Sequence, residues 1–266
     1  MLKKRLIPAL LLQNGFLVRS ELFKFHQIIG DPVHEVKRFN EWNVDELIYL
    51  DITREGDYGI HRSDHKVKLG SDPLEILKEV SKSCFMPLTW GGRIKTVEDM
   101  RIRFNLGADK ITINSEAVRN PELISSGAKL FGSQAIVLSV DVLKLENGEW
   151  EVYIDGGKTP TGLSPEKWVK EAEAHGAGEA LIQCIDRDGT GAGYDLGLLE
   201  RLSSLLKIPL IACSGIGRYE QYAKGIKAGA SAVAAANIWH FKELSDRGGK
   251  RALHRAGINV RMGDLK

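Results

Sequence analysis

Four carboxylates stand where an apolar run gives way to polar residues. Asp51 closes the run 46–52, Asp141 closes 135–142, and Asp186 and Asp188 follow 180–185 in Ile185-Asp186-Arg187-Asp188-Gly189-Thr190. A carboxylate partly withdrawn from water beside a ligand pocket can give or take a proton once its pKa is tuned. The plainer role for Asp51 and Asp186 is to cap loops or pair with Arg54 and Arg187. Two glycine-bearing turns, Gly91-Gly92-Arg93-Ile94 and Ser214-Gly215-Ile216-Gly217, could lay backbone N–H groups against phosphate oxygens. One such turn often needs only a positive φ; two of them point to two anion sites. Other chemistries lack their patterns. The seven histidines show no HExxH or other metal-ligand spacing, and no GxSxG or Cys/His arrangement occurs. Three cysteines, odd in number and without CxxC, exclude a disulfide framework or thiolate zinc site and fit a reducing cytoplasm. Neither a metal nor a cofactor is expected.

The elements that must carry these residues are legible. Eight short apolar runs (6–12, 46–52, 85–90, 110–114, 135–142, 180–185, 209–213 and 232–238) are mostly continuous rather than alternating, as strands buried on both faces are. Between them Asp31-Pro32, Asp72-Pro73, Asn120-Pro121 and Ser164-Pro165 each set an N-cap before a first-turn proline, and Thr96 with Asp99 forms a capping box. After Pro73, Leu74, Leu77, Val80 and Cys84 fall on one helical face. Eight strand–helix units without a break in composition predict one (β/α)8 TIM barrel over residues 1–266. Pro87, Ile94, Gly107 and Ala108 recur as Pro209, Ile216, Gly229 and Ala230, all 122 residues on, so the barrel reads as two repeated halves. Segments 13–30, 53–71 and 143–161 exceed ordinary loop length and follow strands, on the face where such barrels work. Trp42 and Trp168 read as core, while Trp90 and Trp239, at the ends of the third and eighth runs, could reach the pocket.

The 266 residues are 43% apolar and 27% charged with a formal charge of +2, a balance that argues against a nucleic-acid binder. Lys3, Lys4 and Arg5 before the run 6–12 imitate a secretion leader, but the run is short, holds Pro8 and lacks a small-residue cleavage site. It is read as a buried strand, and no stretch is long enough to span a membrane.

Several segments together resemble a known family: Arg5-x-Ile7-Pro8, Gly30-Asp31-Pro32-Val33, the stretch from Asp45 through Asp51 to Thr53, Gly107-Ala108-Asp109-Lys110 through Asn114, and Ile185-Asp186-Arg187-Asp188-Gly189-Thr190-Gly191. They are similar to the cyclase subunit of imidazole glycerol phosphate synthase, over nearly the whole chain. The resemblance implies a glutaminase partner whose ammonia crosses the barrel to a substrate with a phosphate at each end. It implies Asp141 as a catalytic aspartate, and Asp51, Gly92, Asn114, Ser115, Asp188, Gly189, Gly215 and Ala236 around the ligand. It also implies an ammonia gate of Arg5, Glu46, Lys110 and Glu179, with Asp109 at the partner interface.

The departures from the family pattern fall at the ligand. The family's other catalytic aspartate is Leu11, which cannot move a proton. A lysine is Arg19, a phosphate-turn glycine is Arg93, a threonine is Gln183 and a phosphate-site serine is Asn237. The Ile7-Pro8-Ala9-Leu10-Leu11-Leu12 strand resembles a divergent branch that works with a glutaminase-like protein and a sugar amidotransferase to form acetamidino groups on bacterial surface sugars. The expectation is therefore an ammonia-accepting, cyclase-like subunit acting on a phosphorylated or nucleotide-activated sugar. Two alternatives stand beside it: a true cyclase of histidine biosynthesis, and a catalytically silent barrel that only docks a glutaminase.

Overall fold

The computed structural model describes residues 2–42, 44–54, 72–242 and 244–263. In chain order its elements are β1 (Arg5–Gln13), β2 (Phe16–Glu21), β3 (Phe25–Gly30), α1 (Pro32–Glu41), β4 (Leu47–Asp51), α2 (Pro73–Ser83), β5 (Leu88–Gly91), α3 (Val97–Asn105), β6 (Lys110–Ile113), α4 (Ser115–Arg119), α5 (Glu122–Phe131), β7 (Ile136–Lys144), β8 (Trp150–Ile154), β9 (Thr159–Pro160), α6 (Pro165–Ala174), β10 (Glu179–Cys184), α7 (Leu196–Leu205), β11 (Leu210–Cys213), α8 (Glu220–Lys227), β12 (Ala232–Ala235), α9 (Ile238–Phe241) and α10 (Ser245–Arg255). β1 pairs in parallel with both β4 and β12, and β7 with both β6 and β10. The ring β1-β4-β5-β6-β7-β10-β11-β12 therefore closes on itself as an eight-stranded parallel barrel with helices between its strands.

Continuous apolar runs follow from this closure, because each strand has one face in the lumen and one under helices. Ile7, Ala9 and Leu11 of β1 share the interior with Ile48, Leu50, Val137, Leu181, Ile211, Ala232 and Ala234. Leu6, Leu10 and Leu12 lie in the outer layer beneath the helices. Asp31, Asp72 and Ser164 accept from the first-turn amides of α1, α2 and α6, and Thr96 and Asp99 complete their box. The proposed Asn120 cap differs: α4 occupies the turn before it, and Pro121 takes the cap position of α5 without a side-chain bond. On α2, Ile76 is buried with Leu77 and Val80, whereas Leu74 and Cys84 sit at the half-exposed edge. The eighth run divides, β12 ending at Ala235 and Ile238 opening α9.

The half-barrel repeat extends into the packing. A Cβ on Gly107 would press to 2.6 Å on the Ser81 Cβ, and one on Gly229 to 2.6 Å on the Ser203 Cβ, again 122 residues on. Two of the long segments are built rather than loose. Asn14-Gly15, with φ of 51° and 81°, makes the tight turn that folds β2 back on β1, and β3 pairs with β2. β8 and β9 extend the sheet beyond β7. The third long segment is described only at 53–54. Neither Trp90 nor Trp239 reaches the mouth: Trp90 stacks on Tyr49 at 5.5 Å, and Trp239 packs against Phe39 and Trp42.

Candidate active site

A cavity of about 1210 Å3 opens at the C-terminal ends of the barrel strands. Asp51, Gly92, Arg93, Asn114, Ser115 and Asp141 line one side; Gln183, Asp188, Gly189, Gly215, Ala236 and Asn237 line the other. Leu11 is in its wall, 8% exposed and packed among the apolar side chains of the lumen. β1 and β7 are four places apart in a ring of eight, so Leu11 and Asp141 come from opposite strands.

Asp141 is buried, 4% exposed, and held by neutral groups. Gln183 Nε2 donates to Asp141 Oδ1 at 3.1 Å and to Ser139 Oγ at 3.2 Å, and the Asn114 amide also bonds the carboxyl. Burial pushes the carboxyl up to about 7, the amide hydrogen bonds opposing it and the charge of Asp188 adding to it. A carboxyl poised there can act as acid or base at neutral pH. Asp188 is raised as well, first by burial, with bonds from Ser20 and the Phe23 amide opposing.

The two glycine turns share a pair of consecutive positive-φ residues. Gly92 and Arg93 both have positive φ (101° and 54°), and so do their repeat partners Ser214 and Gly215 (80° and 82°). Arg93 thus holds a left-handed conformation that its partner leaves to glycine, at a cost of about 1–2 kcal/mol. Its guanidinium lies 3.4 Å from Asp51 Oδ2. Behind this turn, buried Arg103 donates to the carbonyls of Gly92 and Arg93, both at 3.2 Å. Asp186 does not line the cavity and stands 3.8 Å from Arg187.

At the opposite end of the lumen four charges close a ring. Arg5 Nη1 lies 2.7 Å from Glu46 and 2.9 Å from Glu179, and Lys110 Nζ lies 3.3 Å and 3.1 Å from the second oxygens of the same carboxylates. Nearby, exposed Asp109 clasps the neighbouring strand, its Oδ2 accepting from Leu88 N at 2.8 Å.

Residues 5–245 match the family described as histidine biosynthesis protein. Over 262 residues, 98% of this chain and 99% of the relative, the chain is 42% identical to imidazole glycerol phosphate synthase subunit HisF of Wolinella succinogenes. It is 41% identical to the subunit of the same name from Helicobacter hepaticus, with the same coverage. The chain belongs to the histidine biosynthesis protein family. Within it, the chain is a HisF-like barrel along its whole length.

In this HisF-like barrel the β2–β3 hairpin, within the long segment 13–30 expected on the working face, folds over the mouth. Ser20 Oγ donates to Asp188 Oδ2 at 2.6 Å, and the Phe23 and Leu22 amides donate to Asp188 at 3.2 Å and 3.0 Å. Of two expected ligand contacts, Arg19 leaves the cavity and Asn237 stays in its wall but is tied to the hairpin. Arg19 alternates to the outer face of the hairpin, bonded to Gln27 at 2.7 Å and lying over Phe241, outside the cavity. Asn237 lines the cavity, but its amide both donates to Ser20 O at 2.8 Å and accepts from Ser20 N at 3.3 Å, so it fastens the hairpin. Ser115 Oγ accepts from Asp155 N at 2.9 Å, on a tip whose Asp155 also pairs with Arg119 at 2.6 Å. Ser139, His26, Arg54 and Arg119 belong to the cavity wall and were missed. The Asn14-Gly15 turn was the available signal for the hairpin that carries His26. Among the described residues no cluster could hold a metal ion, and no helix is long and apolar enough to cross a membrane.

Proposed function

We propose that this chain is the cyclase-type, ammonia-accepting subunit of a glutamine amidotransferase. A glutaminase docks at the end of the barrel bearing Asp109, and ammonia passes the Arg5–Glu46–Lys110–Glu179 ring into the lumen. It then reacts at the mouth with a phosphorylated acceptor lying between the two left-handed turns. The observation that carries this reading is Asp141: a buried carboxyl poised near neutrality on the wall of a cavity whose lumen ends in a ring of paired charges. The names of the relatives favour imidazole glycerol phosphate as the product.

Leu11 favours a second reading. With leucine opposite Asp141, the two-aspartate route that the resemblance implies is closed, and a different acceptor, such as an acetamido sugar converted to an acetamidino group, would use the same ammonia. A single assay separates the readings. The purified barrel is given ammonium and the bis-phosphorylated precursor of imidazole glycerol phosphate, and product is measured. Turnover supports the cyclase. No turnover there, with ammonia-dependent amidination of a sugar when the glutaminase and a sugar amidotransferase are added, supports the second. Binding of a glutaminase with neither product marks a silent docking subunit.

A further inference from the structure

The mouth contains a titratable side chain that the reading above does not use. Cross-strand neighbours in an antiparallel pair point to the same face, and in the hairpin Ser20 pairs with His26, Arg19 with Gln27 and Val18 with Ile28. Ser20 turns inward to Asp188, and Val18 and Ile28 pack with the lumen cluster that holds Leu11; Arg19 and Gln27 bond each other on the outside. His26 is therefore on the inner face, and it lines the cavity with Asp141. Val18 is itself the register partner of Leu11. Ser20 and His26 stand one inward pair further along, about 7 Å at the usual strand rise. The hairpin thus brings an imidazole into the same cavity as Leu11, where the resemblance implies a carboxylate. Among the described residues, no side chain hydrogen-bonds its ring.

We infer that His26 is the second proton-transferring residue of this mouth, working with Asp141 on ammonia and the carbonyl carbon of the acceptor. The inference rests on the ammonia-accepting reading and supplies the group that Leu11 lacks. As the C–N bond forms, the imidazole takes a proton from the ammonia nitrogen and the Asp141 carboxyl gives one to the carbonyl oxygen. In the second half the roles reverse. The imidazolium protonates the hydroxyl, which leaves as water, and the Asp141 carboxylate takes a proton from nitrogen as the C=N bond forms. Ammonia and a carbonyl become an imine and water, and both side chains return to their starting states. The charged groups that act on His26 are Arg54 beyond β4 and Asp188 beyond β10. Burial, then Arg54, lower its pKa below the ordinary 6.5, with Asp188 opposing. At neutral pH the ring is a proton acceptor while Asp141 is partly protonated.

The test uses the purified barrel with ammonium chloride and the bis-phosphorylated precursor of imidazole glycerol phosphate. His26→Gln should lower kcat about 100-fold, the range of a lost acid–base group, with KM changed less than about threefold. The parent's bell-shaped pH profile should lose its acid limb and keep the alkaline limb set by Asp141. Free imidazole should restore part of the rate of His26→Ala, and Gln27→Ala, on the outer face, should behave as the parent does. A His26→Gln kcat within about threefold of the parent overturns the inference. So does a rate loss that imidazole does not relieve in a variant that keeps the acid limb, because His26 then only shapes the hairpin. If the parent itself shows no ammonium-dependent turnover of this precursor, the cyclase form of the reading fails and the inference falls with it. An active parent beside an unaffected variant removes only the inference.

Discussion

At the entrance of the lumen Glu46 and Glu179 each bridge Arg5 and Lys110, so two negative charges meet two positive ones within 3.3 Å. At the mouth Asp141 is as deeply buried, but its partners are the amides of Gln183 and Asn114, and its carboxyl rises to about 7. The difference lies in compensation. Cations compensate a buried carboxylate's charge directly, which suits it to gate or brace. Amides only partly offset burial, so the proton stays and can be exchanged. The same residue class therefore serves as a wall at one end of the barrel and as a reagent at the other.

Breaking the mouth should have the largest effect. Asp141→Asn should lower ammonium-dependent turnover at least 1,000-fold, about 4 kcal/mol of barrier, measured as kcat at saturating substrate. It should also remove a pH dependence of stability. The folded carboxyl keeps a proton that the unfolded one releases above its ordinary value of 3.8. Stability of the parent should thus fall as pH rises from about 4 to about 7 and level off above, a slope that thermal melts of the asparagine variant should lack.

Breaking the ring comes next. Glu179→Ala leaves two cations facing one carboxylate and should cost about 2–3 kcal/mol in denaturant unfolding. Arg5→Ala, assayed in complex with the glutaminase, should reduce product formed from glutamine while leaving product formed from added ammonium unchanged. Equal use of both nitrogen sources would make the ring structural only.

Leu11→Asp sharpens the comparison by placing a second carboxyl in the lumen without a cation. It should destabilise the barrel by about 1–2 kcal/mol at pH 7, read from chemical denaturation, with the new carboxyl driven upward by burial. It should not raise cyclase turnover by itself, since Arg93, Gln183 and Asn237 have altered the surrounding wall and residues of one catalytic unit act non-additively. The smallest effect belongs to Arg93→Gly. Relief of its left-handed backbone should offset loss of the Asp51 contact, leaving stability within about 1 kcal/mol of the parent in the same unfolding assay. Affinity for the bis-phosphorylated ligand should weaken several-fold by calorimetry, less so at high salt.

Much of the barrel was readable because its causes are local. Capping residues at Asp31, Asp72, Thr96 and Ser164 act within one turn, and runs such as 6–12 and 180–185 are apolar on both faces, as a barrel strand requires. The Asn120 cap failed for a local reason as well, since α4 had already used the preceding turn. Of the site, Asp141 and the two turns could be located because strand ends in such a barrel converge on one mouth. Arg19 could not be placed correctly from a correspondence of positions. The hairpin's two-residue alternation sends it outward, with Ser20 and His26 facing in.

By itself, the amino-acid order determined the alternation of strand and helix, the repeat at 122 residues and the absence of an acid at position 11, all matters of residue type and spacing along one chain. The tertiary structure alone decided which polar groups compensate which. Asp188 and Asn237 are engaged by a hairpin more than 160 residues earlier in the chain. Asp141 owes its proton to burial, which an amide on the adjoining strand, 42 residues away, only partly offsets. A pKa is set by the distances and dielectric around a group, and those come into being only when the barrel closes.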